Sequence, residues 1–443
     1  MSLRGSRSTS QGSRSSATGG SGGATRRSPT RRFCGCGWPL SSEPSTSGPC
    51  RATSEAGTAT SSARCGRPSA SCPDSRGDGY PPRVISFARG VPAPECLAVE
   101  ELADCARAAL ERDGRTILSY GPGGGYGPLR DWLAERHGVD PSRVVITSGS
   151  LQGFVFLAEQ LVRPGTRVLV EAPTYDRPLK ILARLGAEIV CVPMDEEGLI
   201  PDELPEGDFA FLYTIPTFQN PSGRTLSVER RRRLVELAAE RNLLVLEDDP
   251  YGLVRYDGEP LPSLFELAGG KQVAYCSSFS KTIAPGVRVG WYVLPPQLAA
   301  EIEALAVSTY ISPPYLSQAT VLEFLRRGSF EPNLERVNGL LGERRDAMLD
   351  ALERELPDDA SWTRPEGGYF VWVELPSGPP SGELLAEAED AGVTFVKGSD
   401  FFAGGRGGER ALRLAFSFVS PDEIAEGVSV LGSLVRAAAP TAL

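Results

Sequence analysis

Ser277-Ser278-Phe279-Ser280-Lys281-Thr282, followed by Pro285-Gly286-Val287-Arg288-Val289-Gly290-Trp291, is the stretch on which the reading of this chain turns. Lys281 comes just after an apolar run and sits among small hydroxyl residues, with Arg288 seven positions on. Lys180, Lys271, Lys281 and Lys397 are the only lysines, arginine making up the rest of the 46 basic residues, so few amines are on offer for chemistry. An amine that condenses with a carbonyl must be held rigidly and kept partly neutral, and burial beside other cations achieves this by lowering its pKa. The hydroxyls of Ser278 and Ser280, with Arg288, supply donors for a phosphate dianion. By itself the fragment reads equally well as a solvated lysine in a serine-rich turn.

Outward from this stretch, apolar runs alternate with amphipathic ones. Residues 143–147, 167–171, 189–192, 209–214, 243–247, 273–277 and 289–293 read as buried strands, and 151–161, 178–185 and 228–241 carry the 3.6-residue helical spacing. Strand and helix in alternation predict a mostly parallel sheet covered on both faces. A helical region over 296–356, interrupted at Pro313-Pro314, precedes short strands at 368–374, 393–396 and 411–416, which read as a smaller α+β domain.

Several strand ends carry polar residues. Leu243 to Glu247 is an apolar strand that delivers Asp248 at its carboxyl end, where ligands bind in open α/β sheets, with Tyr251 three residues beyond. An acidic helix cap with a surface tyrosine explains that fragment equally well. Phe218-Gln219-Asn220-Pro221-Ser222-Gly223 is a turn that points an amide from a strand end, although turn formation alone would account for it. Thr147-Ser148-Gly149-Ser150-Leu151-Gln152-Gly153 joins strand to helix, and free amides there form either an anion site or an ordinary capped start. Tyr175 follows another strand and offers an aromatic face. Arg413, inside the apolar run Leu412 to Phe416, calls for an anion, either a bound carboxylate or a structural Asp or Glu.

Composition bounds the rest. The 443 residues suffice for two domains, at roughly 100 to 200 residues each. A net charge of -10 with 41% hydrophobic residues argues against nucleic-acid binding by the folded body. No apolar run is long enough for a membrane span or signal peptide, which leaves a cytoplasmic location as the expectation. Residues 1–80, rich in Ser, Gly, Arg, Thr and Pro, read as a disordered low-complexity tail. Five of the nine cysteines fall in that tail, and the Cys34-Gly35-Cys36 pair is a weak metal or redox hint. His137 is the single histidine, so no metal site is expected.

Taken together and in order, these segments resemble the class I/II aminotransferases of the aspartate aminotransferase superfamily, fold type I of the pyridoxal-phosphate (PLP) enzymes. The likeness spans about Val84 to Val435 and is nearest to 2-aminoadipate and kynurenine aminotransferase-like members. Phe218 to Gly223, Glu247 to Tyr251, Phe279 to Trp291 and Gly367-Gly368-Tyr369-Phe370-Val371-Trp372 carry it. The resemblance implies an arm at 81–110 packing with the small domain, a large PLP-binding α/β domain at 111–325 and a small α+β domain at 326–443. It implies that Lys281 holds the cofactor as a Schiff base and shuttles the proton, and that Asp248 pairs with the ring nitrogen. Tyr251 and Asn220 would bind the ring's phenolic oxygen. Ser150, the Leu151 amide, Ser278, Ser280 and Arg288 would hold the phosphate, and Tyr175 would stack on the ring. Gly90, Asn220 and Arg413 would meet the substrate, Arg413 gripping its α-carboxylate. Tyr120, in Ser119-Tyr120-Gly121-Pro122, would reach the phosphate of a neighbouring subunit, which makes the expected active unit a homodimer with shared sites.

Two departures stand out: Arg89 replaces a glycine near the mouth of the site, and Leu151 stands where glutamine is common. The expected reaction is ping-pong transfer of an α-amino group from an amino acid to a 2-oxo acid. The alternatives are another PLP reaction on the same apparatus (oxidase, lyase, decarboxylase or racemase) and a regulatory module of the MocR kind.

Overall fold

The computed structural model describes residues 84–438, all within one unit of the chain, Gly77–Leu443. The tail expected at 1–80, with its cysteine pair, lies outside the described residues. The described chain opens with β1 (Ile85–Ser86), α1 (Val99–Ile117) and α2 (Gly127–His137). Strands and helices then alternate through β2 (Val144–Thr147), α3 (Ser150–Leu161), β3 (Arg167–Ala172), α4 (Asp176–Arg184), β4 (Glu188–Asp195), β5 (Gly198–Leu199), β6 (Leu212–Thr214), α5 (Val228–Glu240), β7 (Val245–Asp248), α6 (Leu264–Leu267), β8 (Val273–Ser278) and β9 (Gly290–Val293). Three helices follow, α7 (Pro296–Tyr310), α8 (Tyr315–Arg326) and α9 (Phe330–Glu355). The chain continues with β10 (Ser361–Trp362), β11 (Phe370–Glu374), α10 (Ser381–Asp390), β12 (Val393–Thr394), β13 (Val396–Lys397), β14 (Ala411–Ala415) and α11 (Pro421–Ala438).

The large sheet runs β2-β9-β8-β7-β6-β3-β4-β5. Its centre, from β8 through β7, β6 and β3 to β4, is parallel. Strand β9 is antiparallel to both β2 and β8, so β2 points the same way as the parallel set. Alternate residues along each strand feed two separate cores. Val144, Ile146, Leu169, Leu212 and Val245 pack on one face with α1, α2, α5 and α8, while Val145, Val168, Val170, Tyr213 and Leu246 pack on the other with α3, α4 and α7. Both faces are therefore dry, which is why these strands read as unbroken apolar runs instead of alternating ones.

A second sheet, β10-β11-β14-β13, is antiparallel, and β1 pairs in parallel with β12. The apolar run at 393–396 is thus two strands in two sheets, with the buried Phe395 at the crossing. The run at 209–214 enters the sheet only at Leu212, Phe209 instead lying under the Arg167 guanidinium. Ile85 and Phe87 join the core between α9, α11 and the second sheet. From Val99 onward the chain turns to the large sheet instead, α1 packing against α8 through Cys105, Ala109 and Ile117.

Candidate active site

Strands β2, β3, β6, β7 and β8 share one carboxyl edge, the place where an open α/β sheet leaves its crevice. A cavity of about 390 Å³ opens there, closed on its far side by Phe370 and Arg413 of the second sheet. Ser278 ends β8 and Lys281 follows three residues later, its amine donating to the Gly90 carbonyl at 2.7 Å. The Tyr251 and Tyr369 rings lie 5.7 and 5.1 Å from that nitrogen. Loss of solvent, helped by the nearby Arg413 and Arg288 cations, lowers the Lys281 pKa to about 8. The backbone under it is fixed from outside the strand: the Tyr369 hydroxyl donates to the Lys281 carbonyl at 3.1 Å and the Asn333 amide to the Thr282 carbonyl at 2.9 Å.

Asp248 ends β7 and is buried, and burial raises its pKa to about 6. Two donors oppose that rise, the Tyr213 hydroxyl at 2.7 Å on Oδ2 and the Cys276 thiol at 3.3 Å on Oδ1. Neither donor stood out in the sequence, because a tyrosine and a cysteine inside apolar strands look like core. Glu247 and Asp249 point elsewhere; the former accepts from the Leu264 and Phe265 amides at the start of α6.

The opposite end of the cavity is built for an anion. Helix α3 starts at Gly149 without any side-chain cap, so its first amides, with Ser150 and Leu151 on the cavity wall, are free to meet a ligand. Gln152 turns back to cap the Ser148 amide at 2.7 Å. Arg288 adopts a left-handed backbone (φ 51°), which brings its guanidinium across to the Ser148 carbonyl at 2.9 Å and near the Ser280 hydroxyl at 3.5 Å. Ser278 and Ser280 are linked through their hydroxyls at 2.8 Å. Gly290 lets β9 approach α3; a Cβ there would lie 2.6 Å from the Gly149 carbonyl carbon.

Arg413 is 7% exposed and stacked between Phe370 and Phe401, with centroid distances of 4.3 and 5.0 Å. It donates to Asn220 Oδ1 at 2.9 Å and to the Ala88 carbonyl at 2.8 Å, and its Nε has no partner. A buried guanidinium held by neutral acceptors, with one donor unused, is short of an anion, and desolvation lowers its pKa to about 10. Tyr175, Asn220, Tyr251 and Gly90 complete the wall.

Every residue anticipated from the sequence therefore meets in this one cavity except Tyr120, which is 82% exposed and outside it. Arg89 also stays off the cavity wall, its guanidinium over the Phe418 ring at 5.1 Å. A wider cleft of about 740 Å³, lined by Arg224, Trp362, Glu366 and Glu374 among others, contains no lysine. An amine at one wall, a carboxylate on the sheet edge and an uncapped helix start with a cation fit PLP.

The chain matches the family described as aminotransferase class I and II over residues 84–431. It is 41% identical to the 2-aminoadipate transaminase of Thermus thermophilus, covering 80% of this chain and 91% of that protein. Identity with aromatic-amino-acid aminotransferase 1 of Thermococcus litoralis is 37%, over 80% and 88% of the two chains. The crystal structure of the alpha-aminoadipate aminotransferase LysN of Thermus thermophilus, complexed with N-(5'-phosphopyridoxyl)-L-leucine, superposes with a TM-score of 0.76 at 40% identity, covering 80% and 92% of the chains.

Proposed function

The chain belongs to the class I and II aminotransferases, PLP-dependent enzymes that move an amino group from an amino acid to a 2-oxo acid, and from that premise we propose how its own residues divide the work. Lys281 would hold the cofactor, and its Nζ would move the proton at the substrate Cα. Its lowered pKa supports this role, since only a neutral amine can attack or accept a proton near neutrality. PLP, when bound, supplies an electron-withdrawing ring that stabilises negative charge at the substrate Cα. Asp248, ionised, would balance the ring nitrogen, and Asn220 and Tyr251 would hold the phenolic oxygen. The α3 start, Ser278, Ser280 and Arg288 would hold the phosphate, and Tyr175 would stack on the ring. Arg413 takes the α-carboxylate, and this orients the Cα proton toward Lys281.

The observation that carries the proposal is the pairing, in one cavity, of an amine with a lowered pKa and a buried guanidinium that lacks an anion. Single-turnover spectra of the holoenzyme with 2-aminoadipate, aromatic and other amino acids, without any oxo acid, test it. Transamination predicts loss of the visible cofactor band with stoichiometric oxo acid and, in steady state, parallel double-reciprocal lines. Oxygen uptake or release of carbon dioxide would point to a different reaction.

The active unit is proposed to be a homodimer, with Tyr120 reaching the partner's phosphate site. Leu118, Tyr120, Val307, Ile311 and Leu316 are exposed where the 118–125 loop meets the junction of α7 and α8. Light scattering on Leu118→Glu should show monomers. A cytoplasmic location is proposed, and it accords with Cys96, Cys105, Cys191 and Cys276, the cysteines among the described residues, being free thiols.

A further inference from the structure

Glu171, at the end of β3, is buried and lines no part of the cavity. Three neutral donors converge on it: the Thr214 hydroxyl at 2.5 Å on Oε1, and the Ile215 amide and the Gln219 side-chain amide, each at 3.1 Å, on Oε2. Only a carboxylate accepts on both oxygens without turning a donor of its own toward this set. Gln219 passes the constraint on. Its Nε2 also donates to the Pro173 carbonyl at 2.7 Å, and its Oε1 accepts from the Ser222 amide at 2.9 Å and hydroxyl at 2.7 Å. The turn between Gln219 and Ser222 is thus fastened on both sides of Asn220, the residue whose Oδ1 orients the Arg413 guanidinium.

We propose that Glu171 is a positioning residue for the substrate-carboxylate end of the site, acting through the Gln219 to Ser222 turn and Asn220 on Arg413. The inference rests on the reading of Arg413 given above. Burial without a cationic partner pushes the Glu171 pKa to about 7, so the fold retains a costly group at this spot although a neutral side chain would be cheaper to bury. Geometry supplies the reason: the turn's position is fixed by hydrogen bonds that end on this carboxylate.

The test compares purified holoenzymes carrying Glu171→Gln, Gln219→Leu and Arg413→Lys. Steady-state kinetics are measured together with the affinity for glutarate, an unreactive carboxylate probe. Glu171→Gln and Gln219→Leu should each raise the donor KM and weaken glutarate by about tenfold, the scale of a misaimed hydrogen bond to a charged group. Turnover should hold within about threefold, because Lys281 and Asp248 are untouched. Unchanged KM in both single variants, or losses that only track bound cofactor and melting temperature, would overturn the proposal. If Arg413→Lys leaves glutarate affinity intact, the Arg413 reading fails first and takes this inference with it.

Discussion

Replacing Tyr213 by phenylalanine removes one oxygen, 2.7 Å from Asp248 Oδ2, and leaves the packing of the ring nearly unchanged. A hydrogen bond to a buried charged group contributes about 1.5–3 kcal/mol, and one pKa unit corresponds to about 1.4 kcal/mol. The Asp248 pKa should therefore climb by about 1–2 units, from about 6 to about 7 or 8. At pH 7 the ionised fraction in the apo-protein then falls from about 0.9 to between about 0.5 and 0.1. A ring cation on the bound cofactor would draw both values down together, so the loss of about two- to tenfold in kcat appears on the acidic limb of the profile and variant and wild type converge at higher pH. Apo-protein gives an independent readout. A carboxyl whose folded pKa lies above its unfolded value adds stability below the unfolded value and loses it as pH rises through the folded one. Variant and wild type should therefore unfold alike near pH 4 and diverge as pH rises toward 8. The assay is the pH profile of kcat with both proteins saturated in substrate and cofactor. A deficit independent of pH would show that Tyr213 serves packing alone, and superimposed profiles would show that Cys276 is donor enough.

Uptake of PLP by the apo-protein should accelerate with pH and level off near pH 8, because the attacking Lys281 amine has a pKa of about 8 against 10.5 for an ordinary lysine; a stopped-flow rate still climbing at pH 10 would contradict this. Arg288→Ala removes the cation beside Ser280 and should weaken PLP roughly 10- to 100-fold in equilibrium dialysis, the range for charge-assisted hydrogen bonds. Gly290→Ala sets a methyl against the start of α3 and, at about 1–3 kcal/mol for overpacking, should lower both PLP affinity and melting temperature. Unaltered affinity in either variant would remove the α3 and Arg288 end from the account of the phosphate.

The sequence was legible where one residue type has few structural uses. A lysine among serines after an apolar run, an aspartate closing another such run and an arginine inside a third each state a chemical need, and the fold brings all three to one cavity. The central strands were readable because both their faces are covered and their apolar runs are unbroken. Helix α2 escaped because its buried face rests on Leu129, Leu133 and Ala134 among charged residues and shows little period, whereas α1 is amphipathic and its period was there to be read. The split between β12 and β13 was hidden because Phe395 is as apolar as its neighbours and only pairing partners reveal the crossing. Tyr213, Cys276, Glu171 and Gln219 support the site from inside strands and turns, and their meaning depends on long-range neighbours that no local spacing encodes.

The most direct measurement is borohydride reduction of the holoenzyme followed by peptide mass spectrometry. A phosphopyridoxyl group fixed to the Lys281 side chain in the peptide spanning Ser278 to Arg288 is the predicted result. Label on Lys180, Lys271 or Lys397, or no label on a protein that still transaminates, would contradict it.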